Sequence, residues 1–306
     1  MVLAVLLLSF SWNSLALTGK RGRAVNRSDA IILPSSLGIL KSVRPNLDFG
    51  ELHFAGPADI WNSDYGFLVQ SKDPALYALN FPTTGADGLY FDLIIMGEAS
   101  ELTWEPVKHE GITATVTRKT ECNNECDVEF RVTLTGPEAR TQWGNPYPNQ
   151  ITAPKLPQAF ELVGRDREGK EIVRYGFVLQ KWFVNRGAEL YYYPDMVTWC
   201  SRLGYRVPQV KDLTNAICSG LGSGSHCQGS IGATPLSSGN HYQRQIGAGL
   251  FTEWGFMHHY TGADFVLQNY WTSDTTRTGQ FDVGADNGDI YWFSASIINY
   301  GLCTAP

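Results

Sequence analysis

The stretch Tyr192-Tyr193-Pro194-Asp195-Met196-Val197-Thr198-Trp199-Cys200-Ser201-Arg202-Leu203-Gly204-Tyr205-Arg206-Val207-Pro208 decides how the rest of the chain is read. Pro194 suits the first turn of a helix, where its missing N–H would have had no partner anyway. Met196, Val197, Trp199, Cys200 and Leu203 recur at spacings of three and four and give that helix an apolar face, and Gly204 supplies the left-handed residue that ends it. After Pro208, residues 210–216 read as a second helix. Farther out come Tyr270-Trp271-Thr272-Ser273-Asp274 and two alternating runs, 279–284 and 289–295, on either side of Ala285-Asp286-Asn287-Gly288. Asn-Gly between alternating runs is a strong hairpin signal, because both turn positions need positive φ.

Upstream the pattern changes to strands. Phe49-Gly50-Glu51-Leu52-His53-Phe54 and the run 89–96 read as β, and Ile112, Ala114 and Val116 alternate with Thr113, Thr115 and Thr117. Val128, Phe130, Val132 and Leu134 answer them after Cys122-Asn123-Asn124-Glu125-Cys126, so this is a hairpin with one buried face. Strands separated by Pro/Gly-rich turns, without a long helical period, predict an immunoglobulin-like β-sandwich over 45–175. A Pro-rich passage at 145–157 marks a connection, and the boundary to a second domain, 176–306, is expected near residue 176. The length of 306 residues suits two cores of ordinary size. Aromatics at 12% and 31 glycines fit β-rich extracellular modules. A net charge of −6 with no basic stripe argues against a nucleic-acid partner.

In their order, the helix carrying a cysteine, the Arg206-Val207-Pro208 exit, the second helix, the Trp-rich loop and the closing Cys303 resemble the C-type-lectin-like domain. More closely, 178–306 resembles the form that caps intimin/invasin-type adhesins of Gram-negative enteric bacteria. The fold expected is mostly β with an α+β second domain: an immunoglobulin-like β-sandwich followed by a C-type-lectin-like domain. The resemblance implies a Cys200–Cys303 bond between the first helix and the last strand. From spacing, Cys122 and Cys126 read as a staple across a hairpin tip, and Cys218 and Cys227 bracket a Gly/Ser loop that a bridge would rigidify. Even cysteine number and these spacings fit an oxidising compartment.

Val2 to Phe10 is almost wholly apolar, and Ser14-Leu15-Ala16 is a small-x-small cleavage pattern, so 1–16 reads as a signal peptide and 17–44 as an N-terminal arm. No Lys or Arg precedes the apolar core, which a start upstream of Met1 would explain. Sixteen residues fall short of the ~20 that a spanning helix needs. The expected location is secreted or cell-surface, through the periplasm of a Gram-negative bacterium. Lacking the large barrel of a full intimin, the chain resembles a freestanding exported partner such as the exoproteins of the intimin-like Zir transporter. That resemblance implies an intimin-like outer-membrane β-barrel as export partner.

Catalytic motifs fail on inspection. Gly164-Arg165-Asp166-Arg167-Glu168-Gly169-Lys170 is followed by Glu171 where a phosphate loop needs Ser or Thr, and its flanks read as strands. His258-His259 has no third ligand at helical spacing, and Gly222-Ser223-Gly224 is out of register for a nucleophile elbow. Asp282, Asp286, Asn287 and Asp289 could gather oxygens for Ca²⁺ but are also ordinary turn formers, and no metal or cofactor is expected. The calcium-binding tripeptide and Trp-Asn-Asp triplet of sugar-binding lectins are missing, so the resemblance implies a protein-binding surface. Trp254, Phe256, His258, His259, Tyr260 and nearby Tyr242 are the expected binding residues, while Trp199, Trp271 and Trp292 are expected in the core. The function expected is a non-catalytic, adhesin-like or virulence-modulating exoprotein that binds a host or bacterial surface protein. Two alternatives are a calcium-independent carbohydrate binder and an enzyme on a formylglycine-generating-type lectin-like fold. The oxidases of that last type share a helix similar to 199–208 but need a late reactive cysteine pair that is not recognisable here.

Overall fold

A computed structural model describes residues 39–96, 101–119, 128–294 and 296–306, all of them within one compact unit, Ser36–Pro306. The expected signal peptide, most of the arm and the Cys122–Cys126 staple lie outside the described residues. Among those described, no helix is long and apolar enough to cross a membrane.

The alternating segments pair as their patterns require. Ile112–Arg118 meets Val128–Thr135 with Ala114 opposite Leu134 and Val116 opposite Val132. Their neighbours, Tyr90–Met96 and Ile39–Arg44 among them, extend this into a seven-stranded antiparallel sheet. A second layer, Gln158–Arg165 paired with Glu171–Leu179, closes over its apolar face. Between the layers, Phe160 stacks on Phe177 at 5.3 Å and Phe177 meets Phe91 edge-on at 5.8 Å. Two carboxylates buried in the large sheet are paired: Asp92 with Arg131 and Lys119, Glu129 with Lys119 and Arg44.

Helix α1, Tyr193–Leu203, begins on Pro194 and ends at Gly204, whose φ of 86° lets its N–H reach back to Cys200 and Ser201. Met196, Trp199, Cys200 and Leu203 face inward. Val197, one step off that stripe, is 41% exposed instead of joining the expected apolar face. Helix α2 covers only Val210–Leu213, because Thr214 turns extended and bonds Gly288 with its hydroxyl. The bond Cys200–Cys303 is formed, and closing a loop of 103 residues stabilises by ~4–5 kcal/mol in the chain-entropy view. Cys218–Cys227 is also formed. The terminal meander Asn269–Thr275, Gln280–Gly284 and Ile290–Phe293 turns at Asn287-Gly288, with Gly288 at φ 72°.

The boundary expected near residue 176 falls inside the strand Glu171–Leu179, and a single hydrophobic core extends from Leu40 to Cys303. The chain crosses it by strand exchange. Lys181–Asn185 lies between the last strand, Leu302–Thr304, and Thr84–Ala86, which it pairs in parallel. Helix α3, Leu250–Trp254, then carries Glu253 into this junction, where both carboxylate oxygens are fully buried. Glu253 accepts from the main chain of Thr83, Thr84 and Gly247 and from the Thr83 and Thr84 hydroxyls. Burial raises its pKa while these donors pull it back.

Asp212 carries the corresponding load under α2. Burial opposes its charge, yet Arg206, Lys181 and the Gln209 N–H hold its pKa below the usual carboxylate value. Removing Glu253 should be the more damaging change, since Glu253→Ala strands a set of buried donors at once. We expect a loss of about 3–5 kcal/mol in urea unfolding, whereas Val197→Ala should stay within about 0.5 kcal/mol.

Candidate functional site

The expected binding residues divide by a local turn. Trp254, Tyr260 and Tyr242 are fully buried and are core residues, not the exposed anchors expected from the sequence. Trp254 donates its indole N–H to the Thr84 carbonyl at 3.0 Å and packs edge-on against Phe81 at 5.0 Å. Tyr260 donates to the Trp254 carbonyl and accepts from the Asn46 N–H, both at 2.8 Å, and Tyr242 donates to the Asp286 carbonyl. The cause is Gly255 at φ 75°, which reverses the chain after α3 and tucks it against the Arg244 guanidinium. The following 3-10 turn, Met257–His259, points Met257 inward and leaves His258 and His259 exposed and Phe256 half-buried.

Phe256 and His259 meet a segment the sequence did not single out as functional. Residues 49–54, expected as a strand, instead form a turn and the 3-10 helix Leu52–Phe54. Phe49 lies 5.8 Å from Phe256 and 5.0 Å from Phe54, while His53 tilts against Phe54 at 4.1 Å and meets buried His241 edge-on at 4.6 Å. His259 sits 3.7 Å from the Asp48 carboxylate. The open groove here, about 540 Å³, is lined by residues 47–54 with Ser63 and Asp64.

Two bulky residues in this segment hold conformations that favour glycine: Phe49 at φ 52° and Leu52 at φ 53°. Each costs about 1–3 kcal/mol and persists only where the surroundings enforce it. Arg244 enforces it here. Its fully buried guanidinium donates to the carbonyls of Asn46 (2.6 Å), Asp48 (2.8 Å), Phe49 (3.2 Å) and Glu253 (3.1 Å), and its own N–H bonds the Phe54 carbonyl. Burial lowers the Arg244 pKa, as desolvation of a cation must. Leu52, between these held carbonyls, is 87% exposed. Positive φ at a leucine leaves no mark in a sequence, which is why the segment read as an ordinary strand.

Trp199 and Trp271 are buried as expected, whereas Trp292 is half-buried, its N–H on the Ser225 carbonyl at 3.1 Å. The acidic hairpin tip behaves as a turn: Asn287 accepts from the Asp289 N–H, and Gly284 bonds Asp289 through its main chain. Among the described residues no group of three or more His, Cys, Asp or Glu is arranged to hold a metal ion. Asp282 is buried beneath the tip, with its oxygens on the Asn269 and Asn299 amides. Burial outweighs those amides and pushes its pKa up to about 7, and Asp289 is likewise pushed up to about 6.

No protein-family model matches the chain. Over 131 residues it is 28% identical to the inverse autotransporter adhesin YeeJ of Escherichia coli strain K12, a match covering 42% of this chain and 4% of that protein. The chain therefore spans a small fraction of the curated relative's length. The match supports the resemblance to intimin/invasin-type adhesins read from the sequence. Similar solved structures include invasin, titled a bacterial integrin-binding protein, with a TM-score of 0.47 and 14% identity over 87% of this chain and 39% of that one. A mutant intimin of EHEC O157:H7 gives 0.39 and 13% over 74% and 88%. Intimin in its complex with Tir90 gives 0.38 and 9% over 87% and 100%.

Two measurements follow from the buried groups. Trp254→Ala should cost about 3–5 kcal/mol of folding stability, as truncation of a core tryptophan does. Asp282 has a folded pKa near 7, above its unfolded value of 3.8, so its contribution is fully present below pH 4 and lost as pH rises through 7. Urea unfolding between pH 5 and 8 should show this falling limb, at most about 1.4 kcal/mol per pH unit, and Asp282→Asn should flatten it.

Proposed function

We propose that this chain is a secreted, adhesin-like exoprotein that binds a host or bacterial surface protein and performs no catalysis. The observation that carries the reading is Leu52, an exposed leucine at positive φ in a segment whose flanking carbonyls a buried arginine holds, in a groove lined also by Phe49, His53 and Phe54, with Phe256 against Phe49. Strain at an exposed apolar residue gives nothing to folding, and sites of stored backbone strain cluster where ligands are gripped. Large apolar side chains rimmed by polar groups are what protein interfaces use as anchors. The adhesin name of the YeeJ relative supports the same reading.

The face draws residues from both sides of residue 176, so on this reading the immunoglobulin-like and lectin-like parts present one surface together. Export through the periplasm after removal of 1–16, with an intimin-like outer-membrane β-barrel as export partner, belongs to the same proposal, as does a role in virulence.

Leu52→Gly separates binding from folding. Glycine relieves the positive φ, so thermal unfolding should rise or stay level, equivalent to about 0–1 kcal/mol. Capture of the fluorescently labelled mature protein on host cells or bacterial envelopes should fall about tenfold or more. Unchanged capture by Leu52→Gly and by Phe256→Ala would remove this face from the function.

A further inference from the structure

A second site lies at the N-terminal end of α1, beside Met196 and Trp199 of its buried stripe, and owes nothing to the aromatic face. Its floor is Arg186, which is only 3% exposed and has no salt-bridge partner among the described residues. A guanidinium has five N–H donors. One reaches the Trp143 carbonyl at a long 3.4 Å and one the Met196 sulfur at 3.3 Å. The Tyr191 hydroxyl also interacts with it by a side-chain hydrogen bond, and among the described residues no carboxylate pairs with it. The group is held by stacking instead, 3.4 Å above the Tyr191 ring and 4.8 Å from the Trp199 ring. Burial lowers its pKa, offset by Tyr191, Asp195 and Glu189 acting through space.

The position is built, not accidental. The Arg186 main chain is tied to the Gly301 carbonyl at 3.0 Å. Trp271 fixes the Tyr191 carbonyl at 2.8 Å, and the Tyr191 hydroxyl bonds the Trp143 carbonyl and Glu189. Above the guanidinium opens a cleft of about 480 Å³ bounded by Gly144, Pro146, Tyr147, Tyr191, Asp195 and Thr198. That volume accommodates one ring-sized ligand. Tyr147 is 66% exposed, with Arg202 over its ring at 4.8 Å.

A buried arginine short of acceptors calls for an anion, and its planar fork matches a carboxylate. Asp195 on the rim works against a purely anionic ligand. It is suited to one that also carries hydroxyl donors, which its carboxylate and the Thr198 hydroxyl oxygen can accept. Thr198 already donates its own proton to the Pro194 carbonyl, so its oxygen is left as an acceptor. An aromatic wall at Tyr147 favours the C–H face of a pyranose ring. We propose that this cleft binds an acidic sugar, with Arg186 taking its carboxylate, Asp195 and Thr198 its hydroxyls, and Tyr147 its ring.

The test titrates the disulfide-intact protein with N-acetylneuraminic acid, glucuronic acid, glucose, acetate and N-acetylglutamate amide, followed by ligand-observed NMR and calorimetry. At least one of the two sugar acids should bind with Kd on the order of 1 mM, and their ratio tells sialic from uronic acid. Glucose, acetate and the glutamate derivative should bind about tenfold weaker or less. Arg186→Gln should abolish binding. Because Arg186 is buried and that variant could unfold, the exposed changes Asp195→Ala and Tyr147→Ala serve as well, each lowering sugar-acid affinity about fivefold while leaving acetate unchanged. Leu52→Gly should have no effect, so failure here is separate from failure of the protein-binding face. Three results would each overturn the proposal: no saturable signal up to about 50 mM, equal affinity for N-acetylglutamate amide, which would point to an acidic peptide, or tighter binding by Asp195→Ala.

Discussion

The constraint on which the structure depends is the burial of two charges of opposite sign that do not pair with each other. Glu253 is satisfied by N–H and O–H donors from the Thr83-Thr84 strand start, and Arg244 by carbonyls of residues 46–49 and of Glu253 itself. A buried ion left without partners costs several kcal/mol, so each charge obliges a distant segment to come to it. Residues about 170 and 200 positions apart in the chain are thereby brought into register. Apolar side chains at the same positions could fill the volume but would not select which main-chain groups lie against them.

That obligation explains two features that otherwise look unrelated. The parallel pairing of Thr84–Ala86 with Lys181–Asn185 needs the entry to the first strand held open for a helix, and Glu253 bonds the two residues at that entry. The left-handed turn at Phe49 needs its carbonyl drawn inward, and Arg244 draws it, while the Arg244 main-chain N–H holds the Phe54 carbonyl on the far side of Leu52. Scaffold and surface therefore share one polar network. The Arg186 cleft is organised differently, by ring stacking, and leaves its cation without comparable acceptors.

How far the site was legible can be followed residue by residue. Phe256, His258 and His259 were singled out from the sequence and do reach the surface, but Trp254 and Tyr260, in the same seven-residue run, do not. Aromatic composition cannot separate the two sets, since Trp and Tyr serve cores and interfaces alike. What separates them is the reversal at Gly255 and the close approach of Arg244, a contact across sequence. His53, Phe54 and Leu52 were read as strand for the same reason: alternation is a local signal, and the carbonyl contacts that break it come from about 190 residues away.

By itself the sequence determined the elements whose cause is local or covalent. Helix α1 with its Pro194 start and Gly204 stop, the 112–134 hairpin, the Asn287-Gly288 turn and the Cys218–Cys227 loop all follow from propensity, periodicity or short spacing. Tertiary structure alone decided that the strand at residue 176 runs on where a boundary was expected, that Glu253 and Arg244 lie in the interior, and that Leu52 stands exposed. The physical reason is that a buried charge is stable only where its hydrogen-bond partners already are, and those partners are main-chain groups, whose identity no residue type records.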